Sequence, residues 1–124
     1  MVKDANRMVL VVEDDYSVRR PLVKFLELHQ FTVVSAETVD EGQAAVREHG
    51  PQLAAAIVDL RLRRGSGRDV VAQMPAAVPV IIFSGVPSES AELERIRPHT
   101  RLLEKPYSLV QLVQALEEML KDVA

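Results

Sequence analysis

Residues 8–15 read Met-Val-Leu-Val-Val-Glu-Asp-Asp: five apolar side chains without interruption, then three acids. A strand with one wet face alternates apolar and polar residues. An unbroken aliphatic run that stops abruptly reads as a strand buried on both faces, the kind found in parallel sheets covered by helices. The same reading extends outward. Phe31–Ala36, Ala54–Val58, Val78–Phe83 and the short pair Leu102-Leu103 are further aliphatic runs. The third and fourth runs in chain order, like the first, are continuous.

Helical patterns lie between them. Val18, Leu22, Phe25 and Leu26 share one face of a helix predicted over residues 16–29. Leu109, Leu112, Val113, Leu116 and Leu120 form the clearest apolar stripe, with the spacing of a helix face. Thr38-x-x-Glu41 and Ser108-x-x-Gln111 are capping boxes that mark two helix starts. Ser66-x-x-Asp69 is a weaker version before a third helix, and residues 88–97 suffice for one more. Pro21 falls inside the first helix, where it lacks an N–H and crowds the preceding turn. A bend or a loosened first turn is expected near 17–21. The order is βα five times, which implies an α/β fold: a five-stranded parallel sheet between two helical layers.

Size and composition agree. At 124 residues the chain has the length of one domain, here taken as residues 1–124. It has no cysteine, which excludes disulfide scaffolds and thiol catalysis. It has five aromatic residues, no tryptophan and a net charge of −3. That is the wrong chemistry for stacking single-stranded bases or neutralising phosphates, so no direct nucleic-acid binding is expected. No apolar run approaches the ~18 residues of a membrane span. The first apolar stretch, Met8–Val12, runs into acids, unlike a signal peptide, and the expected location is the cytoplasm.

In open α/β sheets, ligands sit beyond the carboxyl ends of the strands. There the sequence places Glu13, Asp14 and Asp15 after strand 1, and Asp59 at the end of strand 3. Ser84 and Gly85 follow strand 4, and Glu104, Lys105 and Pro106 follow strand 5. Glu13, Asp14 and Asp59 with Lys105 leave a charge of −2, which matches one divalent cation. Carboxylates about 4 Å apart repel by roughly 4 kcal/mol at an effective dielectric of 20, so the cluster needs a cation. An all-oxygen site with room for waters suits Mg²⁺. A carboxylate beside Mg²⁺ and a lysine is also equipped to attack a phosphoryl group. Asp15 reads instead as the cap of the first helix. His29, His49 and His99 have no ligand spacing, and Arg61, Arg63, Arg64 and Arg68 read as a solvated basic loop or a docking rim.

Four segments, VVEDDYSVRR (11–20), VDLRLRRGSG (58–67), IIFSG (81–85) and LEKP (103–106), strongly resemble the receiver domain of two-component response regulators, chemotaxis regulators included. The resemblance covers essentially the whole chain. It implies a flavodoxin-like three-layer sandwich with strand order 2-1-3-4-5. Asp59 matches the phosphoacceptor. Asp14 matches a direct Mg²⁺ ligand, Glu13 a ligand acting largely through water, and the backbone carbonyl of Arg61 a third. Ser84 and Lys105 match the hydroxyl and ammonium that hold the phosphoryl group, and Pro106 a proline after a cis peptide bond.

Three positions depart from the pattern. Arg63 stands where many receivers carry proline, although Gly67 keeps its place eight residues past the acceptor. Leu102 replaces a common aromatic that swings inward on activation. Gly85 replaces a common alanine. The switch region is therefore Ser84, Gly85 and Leu102, with the loop after Ser84 expected to move more than strand 5.

The implied function is a phosphoacceptor in a two-component system or phosphorelay, receiving a phosphoryl group from a phosphohistidine. The donor is a sensor histidine kinase or a histidine phosphotransfer protein, and the downstream protein target is unknown. The signal would leave through helix 4, strand 5 and helix 5. Such a domain is no enzyme toward other molecules, catalysing only its own phosphorylation and dephosphorylation. The alternative is a degenerate receiver that binds proteins independently of phosphorylation. A dehalogenase-type phosphohydrolase would need an acid where Arg61 stands, and a flavin-binding protein would need a hydroxyl- and glycine-rich loop where Glu13-Asp14-Asp15 stands.

Overall fold

The computed structural model describes residues 7–85 and 87–123, without the side chains of 87–91, 122 and 123. The elements alternate as β1 (Met8–Val12), α1 (Tyr16–Leu28), β2 (Thr32–Ala36), α2 (Val39–His49), β3 (Ala55–Asp59) and α3 (Arg68–Gln73). β4 (Val80–Ser84), α4 (Pro87–Ile96), β5 (Thr100–Glu104) and α5 (Leu109–Val123) complete them, with a 3-10 turn at Gly50–Gln52 before β3. All strand pairs are parallel, in the order β2-β1-β3-β4-β5.

The uninterrupted runs have the expected cause. Val9 and Val11 face a core with Leu22 and Leu26 of α1 and Leu112 and Leu116 of α5. Leu10 and Val12 face the opposite core, with Val46 of α2, Val70 and Val71 of α3 and Leu93 of α4. Ile57 and Ile81 join the first core, and Ala56, Val58 and Ile82 the second. Each central strand therefore buries both faces. β5 is an edge strand and is only partly buried, which is why its sequence showed as two leucines.

The helix starts differ in detail from expectation. Ser108 and Gln111 form a complete reciprocal box, each backbone N–H bonded to the other's side chain at 2.9 and 3.0 Å. Thr38 Oγ1 accepts from Glu41 N–H, but Glu41 Oε1 reaches one residue further back, to Glu37 N–H. The Ser66 hydroxyl does not cap Asp69, whose N–H goes to the Ser66 backbone carbonyl instead; the hydroxyl accepts from Arg68 N–H and donates to the Leu60 carbonyl, and α3 begins at Arg68 with Gly67 as its cap. α1 runs unbroken through Pro21. Its first turn is tightened instead, the Asp15 carbonyl accepting from both Val18 and Arg19 N–H, a bifurcation common at helix ends.

The chain leaves β1 toward β2 on one side, and β3–β5 lie on the other. The crevice at the carboxyl ends of β1 and β3 is the switch point of this topology.

Candidate functional site

Glu13, Asp14 and Asp59 meet in that crevice. One carboxylate oxygen from each lies within 4.8 Å of the others. β1 and β3 are neighbours, with Val12 opposite Val58, so Glu13 just past the end of β1 and Asp59 at the end of β3 are brought together.

Each acid accepts from a backbone N–H. Glu13 is 2% exposed, and its Oε2 accepts from Asp15 N–H at 3.1 Å. Asp14 Oδ2 accepts from Arg63 N–H at 2.6 Å, which ties the β1–α1 loop to the β3–α3 loop. Asp59 is 3% exposed; its Oδ1 accepts from Arg61 N–H at 3.0 Å and its Oδ2 from Lys105 Nζ at 2.9 Å. Asp15 turns away from the cluster. It caps α1, accepting from both the N–H and the hydroxyl of Ser17, and these bonds hold its carboxyl below the usual range.

Lys105 reaches Asp59 from the end of β5, where its N–H bonds the Ser84 carbonyl and the Lys105–Pro106 peptide is cis. Ser84 is buried at the end of β4, opposite Glu104. A Cβ on Gly85 would meet no atom of the described residues within 4 Å. Val86, within the loop expected to move, lies outside the described residues. Leu102 is half-buried on β5, and its N–H donates to Glu94 Oε2 of α4 at 3.0 Å.

Gly67 has a steric reason. A Cβ there would collide with the Asp59 carbonyl and with Val58 Cγ1. The loop between them is closed by an antiparallel bridge from Arg61 to Ser66, and by Gly65 at a φ of +91°. The backbone at Gly67 therefore passes directly against the Asp59 carbonyl.

The cluster fits a hard cation. Glu13 Oε1 is buried and no donor among the described residues reaches it. Burial pushes the Glu13 carboxyl up to about 7; the Asp15 N–H opposes this and the nearby Asp59 charge adds to it. A buried carboxylate oxygen without a donor, beside two further acids, is the donor set Mg²⁺ favours.

Two residues near the site escaped the sequence reading. Tyr107 stacks on Phe83 with ring centroids 4.4 Å apart, and burial, then the charges of Glu13 and Asp59, raise its pKa. Arg19 is buried behind the β1–α1 loop, donating to the Glu13 carbonyl at 2.7 Å. Arg19 lies three residues before Leu22 and seven before Leu26. An arginine continuing an apolar stripe was the signal that could have found it.

Among known proteins, the family model for the response regulator receiver domain matches residues 9–117. The chain is 31% identical over 116 residues to the photosynthetic apparatus regulatory protein RegA of Cereibacter sphaeroides, covering 90% of this chain and 62% of that protein. It is 32% identical over 116 residues to the KDP operon transcriptional regulatory protein KdpE of Escherichia coli, covering 91% and 51%. The chain thus spans half to three-fifths of these relatives. In fold it is similar to a CheY-like response regulator receiver domain protein of Methanospirillum hungatei, with a TM-score of 0.85 at 19% identity over 96% and 97% of the two chains. A response regulator receiver protein of Sinorhizobium medicae gives 0.84 at 18% identity over 94% and 96%.

Proposed function

The chain belongs to the response regulator receiver domain family, and from that premise we propose that Asp59 accepts a phosphoryl group from a phosphohistidine with Mg²⁺ bound. The supporting observation is the convergence on Asp59 of an ammonium at 2.9 Å and two further carboxylates.

In this reading an Asp59 carboxylate oxygen attacks phosphorus. The P–N bond to the donor imidazole breaks, and the imidazole leaves with the electron pair. Lys105 balances charge on the transferred group, and the Ser84 hydroxyl donates to one of its oxygens. Arg61 N–H fixes the Asp59 carboxylate while it reacts. Glu13, Asp14, Asp59 and the Arg61 carbonyl would hold Mg²⁺, which supplies electrostatic stabilisation of the phosphoryl oxygens. The donor is a sensor histidine kinase or histidine phosphotransfer protein, and the product signals by altering the α4–β5–α5 surface toward a downstream protein.

The test is incubation with acetyl phosphate and Mg²⁺, followed by intact mass. One added phosphoryl group is expected, and it is lost in Asp59→Asn and without Mg²⁺. An unmodified wild-type chain under these conditions overturns the reading in favour of a phosphorylation-independent interaction module.

A further inference from the structure

Arginine is among the residue types least often buried, and a buried one is normally paired. Arg19 is 9% exposed, on the inward side of α1. Its Nη1 donates to the Glu13 carbonyl at 2.7 Å, its Nη2 lies 3.5 Å from Glu37 Oε2, and its guanidinium carbon stands 5.5 Å from the centre of the Tyr16 ring.

The contact with Glu13 concerns the peptide that links two acids of the cluster. The Glu13 carbonyl belongs to the Glu13–Asp14 peptide plane. Fixing that plane fixes the directions in which the Glu13 and Asp14 side chains leave the backbone. The other side of Glu13 is fixed too, its N–H donating to the Ala36 carbonyl at 3.0 Å. Ala36 precedes Glu37, the residue held by the other arm of Arg19. The two peptide groups of Glu13 are thus tied to adjacent residues, one by backbone to Ala36 at the end of β2 and one through Arg19 to Glu37 just beyond it.

We propose that Arg19 is a positioning residue for cation binding: it aims the Glu13 and Asp14 carboxylates through the Glu13 carbonyl. The proposal rests on the reading of the acid cluster as a Mg²⁺ site. Groups that orient ligands from behind commonly change metal affinity by about 10- to 100-fold when removed.

The sign of the effect separates this role from simpler ones. Deleting a positive charge near an acidic pocket, with nothing else changed, strengthens cation binding. Losing alignment weakens it. A residue that only docks α1 would alter melting temperature and leave affinity nearly unchanged.

The experiment is calorimetric titration of the full chain with Mg²⁺ alone, beside thermal melting. Arg19→Met should weaken Mg²⁺ binding about tenfold or more. Arg19→Lys keeps the charge and loses the forked donor, so it should weaken binding by a smaller factor. If Arg19→Met does not fold, Arg19→Lys carries the test. Arg20→Met is the control: Arg20 bonds the Tyr16 hydroxyl at 3.0 Å on the exposed side of α1, and its loss should leave affinity equal or higher. If the wild type binds Mg²⁺ while the Arg19 variants bind it as tightly or more tightly, the positioning role is overturned and the metal site stands. If the wild type shows no Mg²⁺ binding, the metal site itself falls, and the proposal with it.

Discussion

The two halves of the crevice are built differently. On the β1–β3 side every acid is cross-bonded to backbone: Glu13 to Asp15, Asp14 to Arg63, Asp59 to Arg61. Gly67 passes so close to Asp59 that no side chain fits between them. On the β4–β5 side no atom of the described residues crowds Gly85, and β5 is a half-exposed edge strand whose Leu102 N–H is met by a side chain, Glu94 of α4. One half is arranged to hold charge in place before any reaction. The other has slack in which a new position can be accommodated. The proposed phosphoacceptor role calls for both, because a rigid reporter cannot respond and a loose pocket cannot align an attacking oxygen.

The sharpest way to break this comparison is to put a methyl group on each side. Gly67→Ala must push against the Asp59 carbonyl and Val58, and overpacking of this kind costs about 1–3 kcal/mol or more. Gly85→Ala meets no atom of the described residues, so its stability should change by less than about 1 kcal/mol, with reduced unfolded-state entropy favouring a gain. Urea denaturation of both variants measures the contrast, and equal losses would refute it.

Next in size is the pH response of the metal-free protein. The Glu13 carboxyl is pushed from 4.5 up to about 7 in the folded state, so the native chain binds its proton more tightly than the unfolded one. Its contribution is fully present below about pH 4.5 and is lost as pH rises through 7. The decline is on the order of 3 kcal/mol at 1.36 kcal/mol per unit. Chemical denaturation in chelator at pH 5, 6, 7 and 8 should show wild type losing this increment relative to Glu13→Gln. Parallel pH curves for the two would remove Glu13 from the rigid half.

Mg²⁺ should act on the same half with a smaller effect. For a dissociation constant of about 1 mM, 10 mM Mg²⁺ adds roughly 1.4 kcal/mol, or about 5 °C in melting temperature for a domain of this size. Asp14→Asn should raise the metal-free melting temperature by relieving repulsion, and should blunt the Mg²⁺ response. Asp15→Asn, which alters only the α1 cap, should keep it. An equal Mg²⁺ shift in wild type and Asp14→Asn would exclude the acid pocket as the metal site.

The subtlest test sharpens the loose half. With a phosphoryl mimic bound, the largest amide shifts between β4 and β5 are expected at residues 84–90, ahead of those at Leu102. Larger shifts centred on Leu102 would place the reporting movement in β5.

What could be read from sequence follows the same divide. β1, β3 and β4 were legible because burial on both faces leaves no polar interruption, and the site acids because each ends such a run. β5 was nearly hidden, since an edge strand carries Thr100, Arg101 and Glu104 around its two leucines. Gly67 was noted for its position, but its reason needed the backbone path beneath Asp59. Arg19 was legible only as an arginine continuing the apolar stripe of α1; what it holds is revealed by the return of the chain from β2. Ser66 offered a helix-cap pattern, but the Leu60 carbonyl and Arg68 N–H took its hydroxyl first.

The stack of Tyr107 on Phe83 has an optical consequence. The chain has no tryptophan and two tyrosines, so emission excited beyond the absorption of its phenylalanines comes from Tyr16 and Tyr107. Tyr16 is 59% exposed on α1, whereas Tyr107 lies near enough to Glu13 and Asp59 to feel their charge. In a Tyr16→Phe background the protein carries a single tyrosine, Tyr107, near the acid pocket. Changes of charge there become readable as changes in brightness, with no attached dye.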